Sequence, residues 1–194
     1  MYLQLIEKVI KEEKTSIMLV PEISLTPQTV DRFIARFGEE KIAVLHSKLS
    51  IGERYDQWQK IKSGKAKIII GARSAIFAPV KNLGIIIIDE EHDSSYKSEM
   101  TPRYNAKEIA EVLAKKNRIP LILGSATPDI NTYYKAINNE IVLLELTKRA
   151  NKASLPNVEI VDLREELANG NRSMISTKLF SEIEKNLEDM HSYS

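Results

Sequence analysis

Gly84-Ile85-Ile86-Ile87-Ile88-Asp89-Glu90-Glu91-His92 is the stretch that decides the fold. Alternate side chains of a strand point to opposite faces. Four β-branched apolar residues in succession therefore suit a strand buried on both sides, as in a parallel sheet covered by helices. Open sheets of that kind bind their ligands beyond the C-terminal ends of the strands. Three carboxylates and a histidine stand at that end here. In such a cluster one carboxylate can hold Mg²⁺ while the next positions a water.

The flanking sequence alternates between helix and strand patterns. Leu3, Ile6, Val9 and Ile10 recur at helical spacing, which predicts a helix near residues 2–12, and Ser16 to Val20 reads as a strand. Thr26-Pro27 has the form of an N-cap followed by proline at the first helical position, and Gly38 stops that helix. Ile42 to Leu45 is a short strand, and Ser50 with Glu53 forms a capping box for a helix to about Lys62. Lys67 to Ile70 reads as strand, residues 93–104 as loop, and Asn105 with Glu108 as a second capping box for a helix to about Lys116. Pro120 to Leu123 and Ile141 to Leu146 read as strands, with a helix capped by Thr127 and Pro128 between them. Lys148 to Pro156 reads as linker, Val158 to Val161 as a short strand and Ser176 to Met190 as a helix, while His191 to Ser194 carries no signal. The alternation predicts an α/β fold with a doubly wound, mostly parallel sheet over residues 1–147, and a separate segment over 148–194.

Bulk composition narrows the function classes. The 194 residues suffice for one α/β domain with a short appendage, and 43% apolar with 28% charged content is ordinary for a globular protein. A net charge of +1 offers no global basic field, so any nucleic-acid surface is local. With no cysteine there are no disulfides or thiolate zinc sites, which fits a cytoplasmic location. The apolar runs are too short for a membrane helix, and the N-terminus lacks the layout of a signal peptide.

Several motifs compete with plainer readings. Asp89 and Glu90 suit in-line phosphoryl transfer, with Asp89 on Mg²⁺ and Glu90 orienting or deprotonating the attacking water. The plain alternative is an acidic loop that ends a strand. His92 is a nucleotide sensor or a surface histidine. Gly124-Ser125-Ala126-Thr127-Pro128 can bond a neighbouring loop or simply cap a helix. In Gly71-Ala72-Arg73-Ser74, Arg73 grips a phosphate or is solvated, and both readings stand. The helix entry from Glu22 through Thr26 to Gln28 can bind a nucleic-acid phosphate. Aromatic and basic residues alternate from Tyr96-Lys97 to Arg103-Tyr104, a composition that stacks bases and holds a backbone, or that pins a surface loop. Ser63-Gly64-Lys65-Ala66 only imitates a phosphate loop, and no G-x-x-x-x-G-K-[ST] occurs in the chain. The sequence thus carries half of an ATP site.

Taken in order, these motifs resemble the first motor lobe of a superfamily 2 helicase. The run Ile88-Asp89-Glu90-Glu91-His92-Asp93-Ser94-Ser95-Tyr96-Lys97 is more specific and resembles the bacterial replication-restart (primosomal) DNA helicases. Leu19-Val20-Pro21-Glu22-Ile23, Leu25-Thr26-Pro27-Gln28, Leu45-His46-Ser47 and Gly71 to Phe77 fit the same pattern, which covers residues 1 to about 188. The resemblance implies a RecA-like lobe with Asp89, Glu90 and His92 catalytic and Asp89 on Mg²⁺. It implies that Glu91, Ser125, Ala126 and Thr127 couple hydrolysis to DNA movement. It places Glu22, Thr26, Gln28, Arg73, Ser74, Tyr96, Lys97, Arg103 and Tyr104 at DNA.

ATP and Mg²⁺ are the implied cofactors, with zinc expected only in a part of the family protein beyond this chain. The implied partners are single-stranded and forked DNA, other primosome proteins and single-strand binding protein, with no membrane. The resemblance also implies that the family's phosphate loop lies just before Tyr2-Leu3-Gln4 and that a second lobe follows residue 190. The chain is then expected to be a fragment, inactive alone: an engineered domain, a truncated product or a mis-started frame. Two other readings remain: a non-catalytic module binding single-stranded DNA or a replication protein, and lobe 1 of another superfamily 2 translocase.

Overall fold

Ile85 and Ile87 pack on one side of the sheet and Ile86 and Ile88 on the other, each no more than 2% exposed. The computed structural model describes residues 1–147 and 157–191, with side chains described as far as residue 187. Two compact units divide the chain, Met1–Leu143 and Leu144–Ser194.

In the first unit five strands form one parallel sheet in the order β2-β3-β1-β4-β5. They are β1 (Thr15–Leu19), β2 (Ile42–Leu45), β3 (Ile68–Gly71), β4 (Leu83–Ile88) and β5 (Leu121–Leu123). On one face the sheet is covered by α1 (Tyr2–Lys11) and α2 (Pro27–Phe37), which bury Ile6 and Phe33 against Met18, Val20, Ile68, Ile70, Ile85 and Ile87. On the other face lie α3 (Ile51–Lys62) and α4 (Ala106–Asn117), with Ile61, Ala106 and Ala110 against Ile17, Leu19, Ile69, Ile86 and Ile88. The predicted doubly wound α/β sheet is present. The order also explains why β1 and β3 are buried throughout and β4 from Gly84 onward: each has a neighbour on both edges and helices on both faces. From β1 the chain winds outward to β2 and back to β3. It then crosses to β4 on the other side of β1. The point where the winding reverses lies between β1 and β4, which is where such sheets open a ligand crevice.

The caps follow local chemistry. Thr26 accepts from the Thr29 amide ahead of Pro27, and Ser50 with Glu53 closes a reciprocal box. Two expected caps differ. Asn105 accepts from the Lys107 amide at 3.0 Å, so its box with Glu108 does not close. Thr127 does not cap α5 (Ile130–Ile137); Asp129 does, accepting from the Asn131 amide at 2.9 Å. The reason lies one step upstream. Ser125 Oγ accepts from the Thr127 amide at 2.9 Å, which holds the Ser-Ala-Thr segment in a turn of its own.

Ile141 to Leu146 is not a strand. Val142 is 85% and Leu146 78% exposed, and no ladder partner satisfies the segment among the described residues. Val158 to Val161 is unpaired for the same reason, with Ile160 at 93% exposure. The second unit contains α6 (Leu163–Ala168) and α7 (Thr177–His191), the latter extending one residue into the stretch read as structureless. Glu166 accepts from Asn171 Nδ2 and from the Thr177 amide and hydroxyl, which joins the two helices. The expected linker at Lys148 to Pro156 lies outside the described residues.

Two stability measurements check this reading. Ile87→Ala is expected to cost about 2–5 kcal/mol in urea unfolding, because it opens a cavity in a fully buried strand. Ile51→Ala, at a side chain 91% exposed, is expected to stay within about 0.5 kcal/mol; equal effects would contradict the two-faced burial. The Asn131 amide holds the Asp129 carboxyl below the usual carboxylate range. A depressed folded pKa contributes stability above the unfolded value of about 3.9, and that contribution is lost as pH falls through the folded value. Asp129→Ala should therefore cost about 1 kcal/mol at pH 7 and progressively less below about pH 4, while Thr127→Ala should cost little at either pH.

Candidate functional site

Because all five strands are parallel, every loop that follows a strand's C-terminus emerges at one edge of the sheet. The segments after β1 (Glu22 to Gln28), β3 (Arg73, Ser74), β4 (Asp89 to His92) and β5 (Gly124 to Thr127) share that edge. The acidic turn is at its centre. The Asp89 amide still donates to the Leu19 carbonyl at 2.9 Å, so the ladder between β1 and β4 runs up to the carboxylate. Asp89 Oδ1 accepts from the Tyr2 hydroxyl at 3.0 Å, and the Asp89 carbonyl accepts from the Tyr96 hydroxyl at 2.6 Å. Burial, and then the Asp89 charge, push both tyrosines well above the usual phenol range, so both hydroxyls remain donors.

Glu90 adopts a left-handed backbone conformation with φ at 46°. A non-glycine residue held there stores strain, and such residues gather at functional sites. Its carboxylate lies 3.6 Å from His92 Nδ1. That same nitrogen is 2.7 Å from Ser125 Oγ, the hydroxyl that orders the turn after β5. Backbone bonds reinforce the junction: the Glu91 amide donates to the Gly124 carbonyl and the Gly124 amide to the Ile88 carbonyl. Gly124 is required by close approach, since a Cβ there would collide with the Tyr2 hydroxyl.

Glu91 is 3% exposed, its side chain buried against the starts of α4 and α5. Its carboxylate accepts from Lys107 Nζ at 2.8 Å, from the Thr132 hydroxyl at 3.0 Å and from the Asp129 amide at 2.6 Å. Asp89, Glu90, His92 and Ser125 are thus brought together at the edge, with Glu91 beneath them. Ala126 and Thr127 are exposed beside Ser125.

The aromatic loop is more engaged than its composition suggests. Tyr96 is 2% exposed, so in this structure it is not presented for base stacking. Arg73 is equally committed. Its guanidinium donates to the carbonyls of Ser95 and Lys97 and lies 5.6 Å from the centre of the Tyr104 ring. Phe77 meets Tyr104 edge-on at 5.1 Å. Lys97, Arg103 and Ser74 are exposed, and Tyr104 is half-buried. On the neighbouring loop Glu22, Thr26 and Gln28 are exposed, with Glu22 accepting from the Ser47 hydroxyl.

Tyr2, Lys107 and Thr132 escaped the sequence reading. Lys107 did leave a signal: a cation in the first turn of a helix opposes the helix dipole and calls for an acidic partner. Tyr2 and Thr132 left none.

Among the described residues no cluster of three or more histidine, aspartate or glutamate side chains is arranged to enclose a metal, and no helix is long and apolar enough to cross a membrane. Asp89 Oδ1 is taken by Tyr2, and among the described residues none donates to Oδ2. A single free carboxylate oxygen suits Mg²⁺, which keeps most of its coordination for water and phosphate oxygens, and does not suit Ca²⁺.

The sequence profile of the DEAD/DEAH box helicases matches residues 1–136. The chain belongs to that helicase family. Within it, the chain is similar to curated proteins named replication restart protein PriA. Identity is 54% with the Bacillus subtilis protein, over 96% of this chain and 23% of that one. It is 48% with the Synechocystis protein (92% of this chain, 22% of that one) and 42% with the Treponema pallidum protein (96% and 28%). The chain spans about a quarter of the length of the curated relatives it matches.

Removing the Gly124 constraint and its partner together tests the geometry. Gly124→Ala alone should cost about 1–3 kcal/mol by overpacking against Tyr2. Combining it with Tyr2→Phe removes the colliding hydroxyl, and the double variant should be more stable than the sum of the singles by about 1 kcal/mol; strict additivity would contradict the contact.

Proposed function

We propose that residues 1–147 form the ATP-binding lobe of a replication-restart DNA helicase, a lobe that couples ATP hydrolysis to movement along single-stranded DNA. Residues 148–194 are then the linker and the start of the connection to a second lobe. The observation that carries the reading is the junction at one sheet edge: Asp89 with a free oxygen, Glu90 beside it, and His92 bonded to Ser125. The similarity to PriA proteins over nearly the whole chain supports the replication-restart class.

In this reading Asp89 Oδ2 would hold Mg²⁺, directly or through water, and the bound ion would supply charge neutralisation at the transferred phosphoryl group. The Tyr2 hydroxyl fixes the Asp89 carboxylate by occupying its other oxygen. Glu90 orients the attacking water and takes its proton, with the left-handed backbone aiming its carboxylate into the edge. His92 passes a change at Glu90 to Ser125, and so to the turn of Ala126 and Thr127. The DNA side is formed by Lys97, Arg103, Tyr104 and Ser74, with Glu22, Thr26 and Gln28 on the neighbouring loop. Arg73 and Tyr96 act there as positioning residues that hold the aromatic loop. The exposed cations Lys97 and Arg103 make the predicted affinity salt-dependent. Single-stranded and forked DNA, primosome proteins and single-strand binding protein are the proposed partners of the complete protein, in the cytoplasm. No zinc site is proposed for this chain.

No glycine–lysine phosphate loop occurs in the 194 residues, so turnover is proposed for the protein that supplies one. In a version extended upstream through such a loop and downstream through a second lobe, Asp89→Asn and Glu90→Gln should each lower kcat for ATP by about 10²-fold or more. A fully active Asp89→Asn or Glu90→Gln protein would contradict the assignment.

A further inference from the structure

The interior of this site holds a feature that the hydrolysis scheme leaves unused. Glu91 is the only charged side chain in the buried set among the described residues. Its carboxylate is 1% exposed and its partner Lys107 17%, which makes this the least solvated ion pair described in the chain. A buried carboxylate at that position requires full satisfaction, and it has three donors. Lys107 Nζ also reaches the Thr132 hydroxyl at 3.1 Å.

The sequence positions of these donors carry the inference. Glu91 and Lys107 bracket the aromatic loop: β4 ends at Ile88, the acidic turn with Glu91 precedes the loop, and α4 begins at Ala106, one residue before Lys107. Between them the loop is zipped shut by the Lys97–Asn105 bridge and by the Ser98 amide on the Tyr104 carbonyl at 2.7 Å. Asp129 and Thr132 begin α5, directly after Ser125-Ala126-Thr127. One carboxylate therefore joins the acidic turn, the base of the aromatic loop and the exit of the Ser-Ala-Thr turn.

We propose that Lys107, through Glu91 and Thr132, is the clamp by which the aromatic loop sets the placement of the Asp89–Glu90 turn. Lys107 touches no reacting atom and is a positioning residue. The inference rests on the reading of Asp89 and Glu90 as the reacting turn. Its physical content, that loop and turn move as one unit, is independent of nucleotide. The loop touches the turn directly through the Tyr96 hydroxyl on the Asp89 carbonyl. A loop displaced at its Arg73 and Tyr104 contacts would also pull on α4 at its first turn, and the Lys107–Glu91 pair is the buried ionic link from there to the turn. Methionine at 107 would keep the aliphatic stem and remove the charge; arginine would restore it.

The test is amide hydrogen exchange on this chain, without nucleotide or metal. In Lys107→Met the amides of Asp129 and Glu91 should exchange faster by about 10-fold or more, while Ile17 and Ile69 in the central strands change by less than about 3-fold. Lys107→Arg should return the local rates to near the parent values. Arg73→Ala, which frees the loop, should speed exchange at Asp129 in the parent but add little in Lys107→Met. Should Lys107→Met fail to fold, Thr132→Val retains the ion pair and should show a smaller increase at the same amides. Uniform acceleration across the sheet, no change at Asp129, or failure of arginine to restore would overturn the clamp. Because exchange is read without ATP, that failure would leave the ATPase reading intact, and inactive Asp89 variants would leave the clamp intact.

Discussion

The hydrogen bond from the Asp89 amide to the Leu19 carbonyl is the last rung between β1 and β4, and the rest of the first unit is arranged around it. Below it both strands are dry on both faces, so their backbone groups must be paired and their register cannot slip without moving apolar side chains. Above it the chain turns polar within one residue. The carboxylate of Asp89 therefore inherits its position from the most constrained part of the core. Glu90 then takes a left-handed conformation that an unconstrained chain would avoid, and Glu91 turns back into the interior. Burial of Ile85 to Ile88 holds the strand in place; that fixed strand end in turn defines the edge where chemistry is proposed.

Three further interactions convert this strand end into a junction. Gly124 lets β5 approach so closely that the Tyr2 hydroxyl lies over it and still reaches Asp89. The His92–Ser125 bond spans the acidic turn and the next loop with one hydroxyl that also shapes that loop. The Glu91–Lys107 pair sits beneath both. A buried ion pair of this kind adds little net stability compared with apolar packing, because desolvation offsets the Coulomb attraction. Its contribution is geometric, since breaking either half strands a charge in the interior. The same contrast separates Arg73 and Tyr96 from the exposed members of the aromatic loop. Both are engaged with protein atoms, and they determine where Lys97, Arg103 and Tyr104 face solvent.

Much of this was legible in the sequence, and the physical reason is local. Strands buried on two faces leave unbroken apolar runs, so β1, β3 and β4 could be read directly, and capping hydroxyls at Thr26 and Ser50 marked helix starts. The acidic turn was legible because it follows such a run. What escaped was decided by contacts that composition and spacing do not show. Thr127 carries a cap's signature, but Ser125 holds its amide and Asp129 takes the role. Ile141 to Leu146 has the composition of a strand, but composition supplies no neighbour to pair with. Tyr96 and Arg73 look like DNA-facing residues in sequence, yet a carbonyl of the acidic turn and two carbonyls of the aromatic loop engage them in the fold. Tyr2 gave no warning, because its contact with Asp89 spans most of the first unit.

Metal and reacting phosphate are proposed to meet at the turn after β4. The most direct measurement is the anomalous signal of Mn²⁺, substituted for Mg²⁺, in crystals of the upstream-extended protein with an unreactive ATP analogue. A peak is expected on the Asp89 Oδ2 side, at about 2.1 Å if coordinated directly or one water farther out, with the Glu90 carboxylate facing the terminal phosphate. A metal and phosphate bound elsewhere, with Asp89 still held only by Tyr2, would contradict it.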